Sequence, residues 1–233
     1  MFKKIKDYFA NRTANKIEKA GKLVKNSKAI REDRWGAIEY LKEIDDPDRA
    51  IPALLQRFEF SLEHGINDTR EKELALEGIV KYSDLALPFL KLHLSATTRI
   101  AWPIKALKSL GKEDLVVEAL KAALNFGDIS FDQSAVDKNY DVLCYLRDYK
   151  LSGFTDQLTH FLVDPDERVR FAAVELILEQ NEQRTSPALE RFLIDDSSEN
   201  RRLRQAVSQA FVDRKWPVTN PDVVKAMQAG PTH

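Results

Sequence analysis

Histidine is the first residue type to test for chemistry, because neutral imidazole ligates metals and titrates near neutral pH. The chain has four, His64, His93, His160 and His233. None makes an i, i+4 pair with another histidine, and none has the flanking carboxylates of a metalloprotease helix. His93 and His160 follow predicted core leucines by three and two residues, so we interpret them as residues at a helix edge. The histidines therefore predict no metal site.

The acidic residues and the single cysteine likewise indicate no site. Asp128, Asp132 and Asp137 lack the alternating acids, central glycine and terminal glutamate of a calcium loop, and helix capping explains the last two better. Cys144 lies in an apolar helical stripe without an obvious basic neighbour, which is typical of a buried, inert thiol. The eight glycines are scattered singly, so there is no phosphate loop, and no Gly-x-Ser-x-Gly elbow occurs. We therefore expect a protein that is not an enzyme and has no metal or cofactor.

The elements that carry these residues repeat along the chain. Six segments with the pattern of a first helix start at residues 37, 75, 103, 142, 173 and 206. Five segments with the pattern of a second helix start between them, at residues 51, 87, 117, 155 and 186. Two interleaved helical series with a period of tens of residues predict an all-α fold, an α-solenoid of about six helix pairs.

The second helices share a register. Each contains a leucine that is followed four residues later by another apolar residue, which places both on one helix face. The pairs are Leu54 with Phe58, Leu90 with Leu94, Leu120 with Leu124, Leu158 with Leu162, and Leu189 with Leu193. A proline recurs near the predicted start of three of these helices, where it is tolerated, at Pro52, Pro88 and Pro187. These leucines are the predicted core.

The fifth first helix is the clearest unit. Residues 164–177 combine a capping turn, acidic residues in the first turn and a small apolar face with Ala172 and Ala173. This stretch resembles the bacterial HEAT repeat, in particular the short form named after phycobilisome lyases, and the Pro-Ala-Leu of the second helices resembles the same family. The resemblance covers about residues 30–228 and implies a right-handed, armadillo-like superhelix. The third unit departs from the pattern with Trp102 and Pro103, where small residues are usual.

The resemblance leaves several function classes open. HEAT-like metal hydroxylases carry repeated His-Glu pairs, whereas this chain has only the reverse order at residues 63–64. HEAT-like DNA glycosylases hold the duplex on a basic face lined by tryptophans, and this chain has Trp35, Trp102 and Trp216. Residues 29–233 carry a net charge of -8, however, which opposes phosphate binding. Only the name of the repeat suggests a phycobilin lyase. We predict no specific nucleic-acid partner and rank the glycosylase as the second alternative.

The charge of the chain is unevenly distributed. The formal net charge is -1, yet residues 1–28 contain nine basic and two acidic residues. We divide the chain into a basic amphipathic helical segment at 1–28, a HEAT-like domain at 29–229 and a tail at 230–233. The first segment has no uninterrupted apolar stretch of the signal-peptide kind, and no apolar run reaches the length of a membrane span, so we expect a cytoplasmic protein.

The predicted role is that of a scaffold or adaptor that binds another protein along its second helices. The candidate contacts are the polar residues that follow the core leucines: Arg57, Lys91, His93, Lys121, His160 and Arg191. The two longer linkers, residues 61–69 and 127–134, are solvated turns or part of a binding face, and Ile129 and Phe131 favour the second interpretation.

The alternative role is a peripheral membrane module anchored by residues 1–28. Its candidate contacts alternate apolar and basic side chains: Phe2, Lys3, Lys4, Ile5, Lys6 and Phe9. A competing interpretation is that the apolar face of the segment caps the first repeat, with the acidic remainder of the chain as a counter-charge for the lysines.

Overall fold

The structure is a computed structural model that describes residues 2–127 and 132–229, with the side chains of residues 2–11 excluded. All regular secondary structure in these ranges is helical, which confirms the all-α prediction. Ile129, Phe131 and His233 lie outside the described residues, as do the side chains of the six proposed membrane contacts. The chain divides into two compact units, Met1–Ala123 and Leu124–His233.

The first unit contains seven α-helices. They are α1 (Phe2–Lys25), α2 (Arg31–Glu43), α3 (Pro47–Leu55), α4 (Gly65–Lys81), α5 (Leu87–Ala96), α6 (Ala101–Ser109) and α7 (Glu113–Ala123). The first-series helices pack on one another in the order α2, α4, α6, and the second-series helices in the order α3, α5, α7. The helix α1 packs on both α2 and α3. Residues 2–25 form one continuous helix.

The described residues of the second unit form six α-helices. They are α8 (Gln133–Leu146), α9 (Thr155–Leu158), α10 (Glu167–Gln180), α11 (Ser186–Leu189), α12 (Arg201–Arg214) and α13 (Pro221–Ala229). The helix α10 packs between α8 and α12. The short second-series helices α9 and α11 continue as 3-10 turns, Thr159–Val163 and Glu190–Leu193, which pack on α10 and α12 respectively. All eleven predicted repeat segments therefore lie in helices.

The predicted leucine register is confirmed. Leu54, Leu90, Leu120, Leu158 and Leu189 are all fully buried, and four of the five residues that follow four positions later are buried as well. Leu193, the exception, is half-buried. Because residues i and i+4 share a helix face, the register predicts which side of each second helix faces the core.

A second buried position recurs three residues before each first-series segment. Its occupants are Arg34, Lys72, Ile100, Asn139, Arg170 and Leu203, and every one is buried. Arg34 Nη1 and Arg170 Nη1 each donate to a carbonyl in the turn before their helix, those of Ala29 and Asp164, at 2.8 Å. Asn139 pairs with the backbone of the turn before α8. These polar side chains tie the start of a first helix to the preceding turn.

Three local predictions are corrected by the helix bounds. Pro52 lies inside α3 rather than at its start, since that helix begins at Pro47. Pro88 and Pro187 lie in the first turns of α5 and α11, as predicted. The linker at 61–69 is shorter than expected because α4 begins at Gly65. Asp132 does cap α8, accepting from the backbone N–H of Ser134 at 3.0 Å, but Asp137 lies within that helix.

Candidate protein-binding surface

Helical register separates four of the six predicted contact residues into an inward and an outward set. The residue three positions after a core leucine shares its face, and the residue two positions after it points away. The first set, Arg57, His93, Ala123, Phe161 and Phe192, is buried apart from half-buried His93. The second set, Gln56, Leu92, Ala122, His160 and Arg191, is exposed or half-buried. Arg57 and His93 are therefore on the inward side, which corrects their prediction as surface residues.

Arg57 belongs to a buried ionic cluster that the sequence analysis missed. Its Nε lies 2.8 Å from Glu71 Oε2, and its Nη2 lies 2.7 Å from Asp68 Oδ1. Glu71 also accepts two hydrogen bonds from Arg34, at 2.6 and 2.8 Å, and Lys72 Nζ lies 2.7 Å from Asp68 Oδ2. Three cations and two carboxylates thus join α2, the turn after α3, and α4.

Two opposing effects act on the pKa of Asp68 in the ionic cluster. Burial raises the pKa of this carboxyl, but the hydrogen bonds from Lys72 and Arg57 outweigh burial and hold the pKa below its usual value of 3.8. Each carboxylate of the cluster is held by two cations. The arrangement can stabilise the packing of three elements.

His93 pairs with a carboxylate of the same unit. Its Nε2 lies 2.8 Å from Glu59 Oε1, without the direction of a hydrogen bond. Burial lowers the pKa of the imidazole, and the nearby Glu59 only partly opposes the effect. The half-buried ring is a packing residue of the first unit.

The other predicted contacts retain accessible side chains. Lys91 is exposed on α5, and Lys121 is half-buried with Nζ 3.1 Å from Glu118 Oε1. In the second unit the exposed His160 ring packs 5.6 Å from the ring of Phe126. The Arg191 guanidinium donates to the carbonyl of Leu162. These residues leave polar groups on the outward side of the second helices.

An exposed row of apolar side chains lies on α5 and the turn before it. Leu85, Pro88, Phe89 and Leu92 are spaced i, i+3, i+4 and i+7, and we call them the α5 stripe. Leu85 is 60% exposed and Leu92 is 71% exposed, whereas Phe89 is half-buried. The core face of the same helix buries Leu90 and Leu94. The sequence does contain a signal for this stripe. The apolar residues of α5 occupy more than one face of the helix, so they cannot all face the core.

A groove of about 670 Å³ runs between α1 and α3. Small, half-buried residues line it, among them Gly21, Pro52 and Ala53. A Cβ atom on Gly21 would lie 3.3 Å from the Cβ of Ala53, which shows how closely the two helices approach. Lys22 and Lys25 of α1 also line the groove.

The helix α1 has one covered and one open face. Ile17, Ala20 and Val24 are buried, and the helix contacts α2 and α3. The basic side chains of residues 12–28 are all exposed: Arg12, Lys16, Lys19, Lys22, Lys25 and Lys28. For residues 12–25, the apolar side is therefore occupied by the first repeat, and the basic side faces solvent.

A second cavity, of about 560 Å³, lies in the second unit beside Arg170 and Arg191. Arg170 donates to the carbonyls of Asp164 and Pro165 and to the carboxylate of Glu199, while its Nε has no partner. Burial and the nearby Arg170 lower the pKa of Arg191. Because acidic side chains surround both guanidiniums, we assign this cavity to packing rather than to an anion site.

Trp102, Trp216 and Cys144 have neighbours that account for their burial. Trp102 stacks on Phe58 with 5.7 Å between ring centroids, and buried Trp216 meets Phe211 edge-on at 5.6 Å. Burial raises the pKa of the half-buried Cys144 thiol, and this outweighs the attraction of Arg147, a basic neighbour that the sequence analysis had not identified. The thiol is therefore held in its unreactive, protonated form at neutral pH.

The described residues contain no group of three or more histidine, cysteine, aspartate or glutamate side chains arranged to hold a metal ion. Among the helices of residues 2–127 and 132–229, none combines the length and the apolar character needed to cross a membrane. No family model, curated protein or solved structure matches the chain.

Proposed function

We propose that the chain is a HEAT-like α-solenoid that acts as a non-catalytic scaffold and binds another protein on its second helices. The stacking of α2, α4 and α6 beside α3, α5 and α7 supports the solenoid, as does the shared leucine register. In such an array one side of each second helix packs inward. The other side forms an extended surface for a partner.

The α5 stripe is the observation that carries this proposal. Three exposed or half-buried apolar side chains, Leu85, Phe89 and Leu92, follow the spacing with which one helix face meets a partner. Burying a large apolar side chain contributes about 1.5–3 kcal/mol, so the stripe can supply several kcal/mol of association energy. Lys91 lies beside the stripe and favours a partner that carries an acidic residue next to its apolar surface.

Site-specific photocrosslinking in the native host tests the proposal. A photoreactive amino acid replaces Leu92 in one variant and the exposed Glu39, on first-series helix α2, in a matched control. We expect one defined crosslinked partner from position 92 that is absent from position 39. The partner should be lost from affinity purifications of Leu92→Asp while Glu39→Lys retains it.

Two results would count against this role. Equal crosslinking from both positions would show that the α5 stripe is not a specific surface. A partner retained by Leu92→Asp, in a variant with an unchanged unfolding midpoint, would show that the stripe contributes nothing to binding.

A further inference from the structure

The open face of α1 is strongly basic. From residue 12 to its end, the helix contains five basic residues and one acidic residue, Glu18, and Lys28 follows in the next turn. Lys22 Nζ pairs with Glu18 at 2.6 Å, and Lys16 Nζ lies 4.3 Å from the centre of the Tyr40 ring. In the part of the chain that the structure describes, the side chains of Arg12, Lys19, Lys25 and Lys28 make no ion pair. The expected counter-charge from the rest of the described chain therefore forms no ion pair with these four side chains, although Asp48 lines the same groove as Lys25.

The geometry of α1 determines what such a face can bind. The helix has 24 residues and is therefore about 36 Å long, with basic residues spaced three or four apart through its described half. Its apolar residues Ile17, Ala20 and Val24 are already buried. These three side chains are therefore not available to insert into a partner. A partner of the basic face must be recognised by its charge along the length of the helix.

We propose that the cationic face of α1 binds the surface of a membrane that contains anionic lipids. A lipid surface presents negative headgroups over the whole length of the helix, and each lysine near it contributes attraction of about fivefold in affinity. Single-stranded nucleic acid is the other extended polyanion, but its binding relies on aromatic side chains that stack with bases. Residues 12–28 contain no aromatic residue, and the aromatic residues of α1, Phe2, Tyr8 and Phe9, all precede the described side chains of the helix. The membrane surface is therefore the favoured partner.

Membrane contact through α1 uses residues other than those of the α5 stripe, so this inference stands independently of the proposed protein partner. The two surfaces lie on different helices of the same unit. A scaffold attached in this way would present its partner beside a lipid surface.

Flotation of the full chain with lipid vesicles tests the inference. We expect binding to vesicles of phosphatidylcholine with about one quarter phosphatidylglycerol, no binding to pure phosphatidylcholine, and release in 0.5 M NaCl, because surface charge is screened within a few ångströms at high salt. The variant Lys19→Glu/Lys25→Glu should have a partition coefficient at least roughly thirtyfold lower. The matched control Arg70→Glu/Lys91→Glu makes the same charge change at exposed residues elsewhere in the unit. It should bind the anionic vesicles more tightly than Lys19→Glu/Lys25→Glu.

Four results would overturn the inference. They are absence of flotation with the anionic vesicles, equal binding to both vesicle types, binding that persists in 0.5 M NaCl, and equal loss in the control variant. Polyuridylate added as a competitor gives a fifth outcome. Displacement from the vesicles at equimolar charge, with tighter binding to the polymer, would assign the face to nucleic acid instead.

Discussion

Arg57 Nε lies 2.8 Å from Glu71 Oε2, with both side chains fully buried. Glu71 also neutralises Arg34, so Glu71→Ala would leave two buried guanidiniums without this shared carboxylate. Removal of one partner from a buried ion pair costs about 3–5 kcal/mol. We expect a loss of that size in the free energy of unfolding, measured by chemical denaturation.

Glu77→Ala is the control for this prediction. Glu77 pairs with Lys42 at 2.6 Å, but its side chain is 61% exposed. An exposed pair contributes about 0–1 kcal/mol. If Glu71→Ala costs no more than Glu77→Ala, the buried cluster is not a stabilising element.

The depressed pKa of Asp68 predicts a pH dependence of stability. Because the folded-state pKa lies below the usual 3.8, the folded protein binds fewer protons than the unfolded chain in that range. The stabilisation is therefore present above about pH 4 and is lost as the pH falls through the folded-state pKa. Urea denaturation between pH 6 and pH 3 should show a shallower loss in Asp68→Asn than in the wild type. Parallel curves for the two proteins would contradict this assignment.

The sequence predicts the inward leucines well but not the buried charges. Leu54 and Leu90 have an apolar residue four positions later, so periodicity alone predicts their burial. Arg57 occupies an inward position as well, but its partners Glu71 and Asp68 lie on α4 and are distant in sequence. Polarity alone therefore placed Arg57 on the surface, whereas its position three residues after Leu54 would have predicted burial.

Truncation of the core leucines should destabilise either unit. Leu120 on α7 and Leu158 on α9 are fully buried, so Leu120→Ala and Leu158→Ala should each cost about 2–5 kcal/mol. Leu92→Ala is the control, because this residue is 71% exposed and should change stability by less than about 0.5 kcal/mol. Chemical denaturation measures all three. A cost below about 1 kcal/mol at either core leucine would contradict the register.

We predict no specific binding of duplex DNA and no base excision. Trp102 and Trp216 pack against other aromatic rings, and residues 29–233 are acidic overall. Fluorescence anisotropy with a labelled duplex should give a Kd of about 10⁻⁶ M or weaker at physiological salt, the range of non-specific binding. A sub-micromolar Kd that weakens steeply with salt, together with release of a modified base, would favour the glycosylase instead.

The covered face of α1 predicts that this helix stabilises the first repeat. Ile17 is 3% exposed, and α1 packs on α2 and α3, so Ile17→Ala should cost about 2–5 kcal/mol. Deletion of residues 1–28 should lower the unfolding midpoint further and expose apolar surface that binds a hydrophobic dye. Lys19→Ala, on the open face, is the control and should leave the midpoint nearly unchanged. A truncated protein as stable as the full chain would show that α1 is not a cap, whatever its affinity for vesicles.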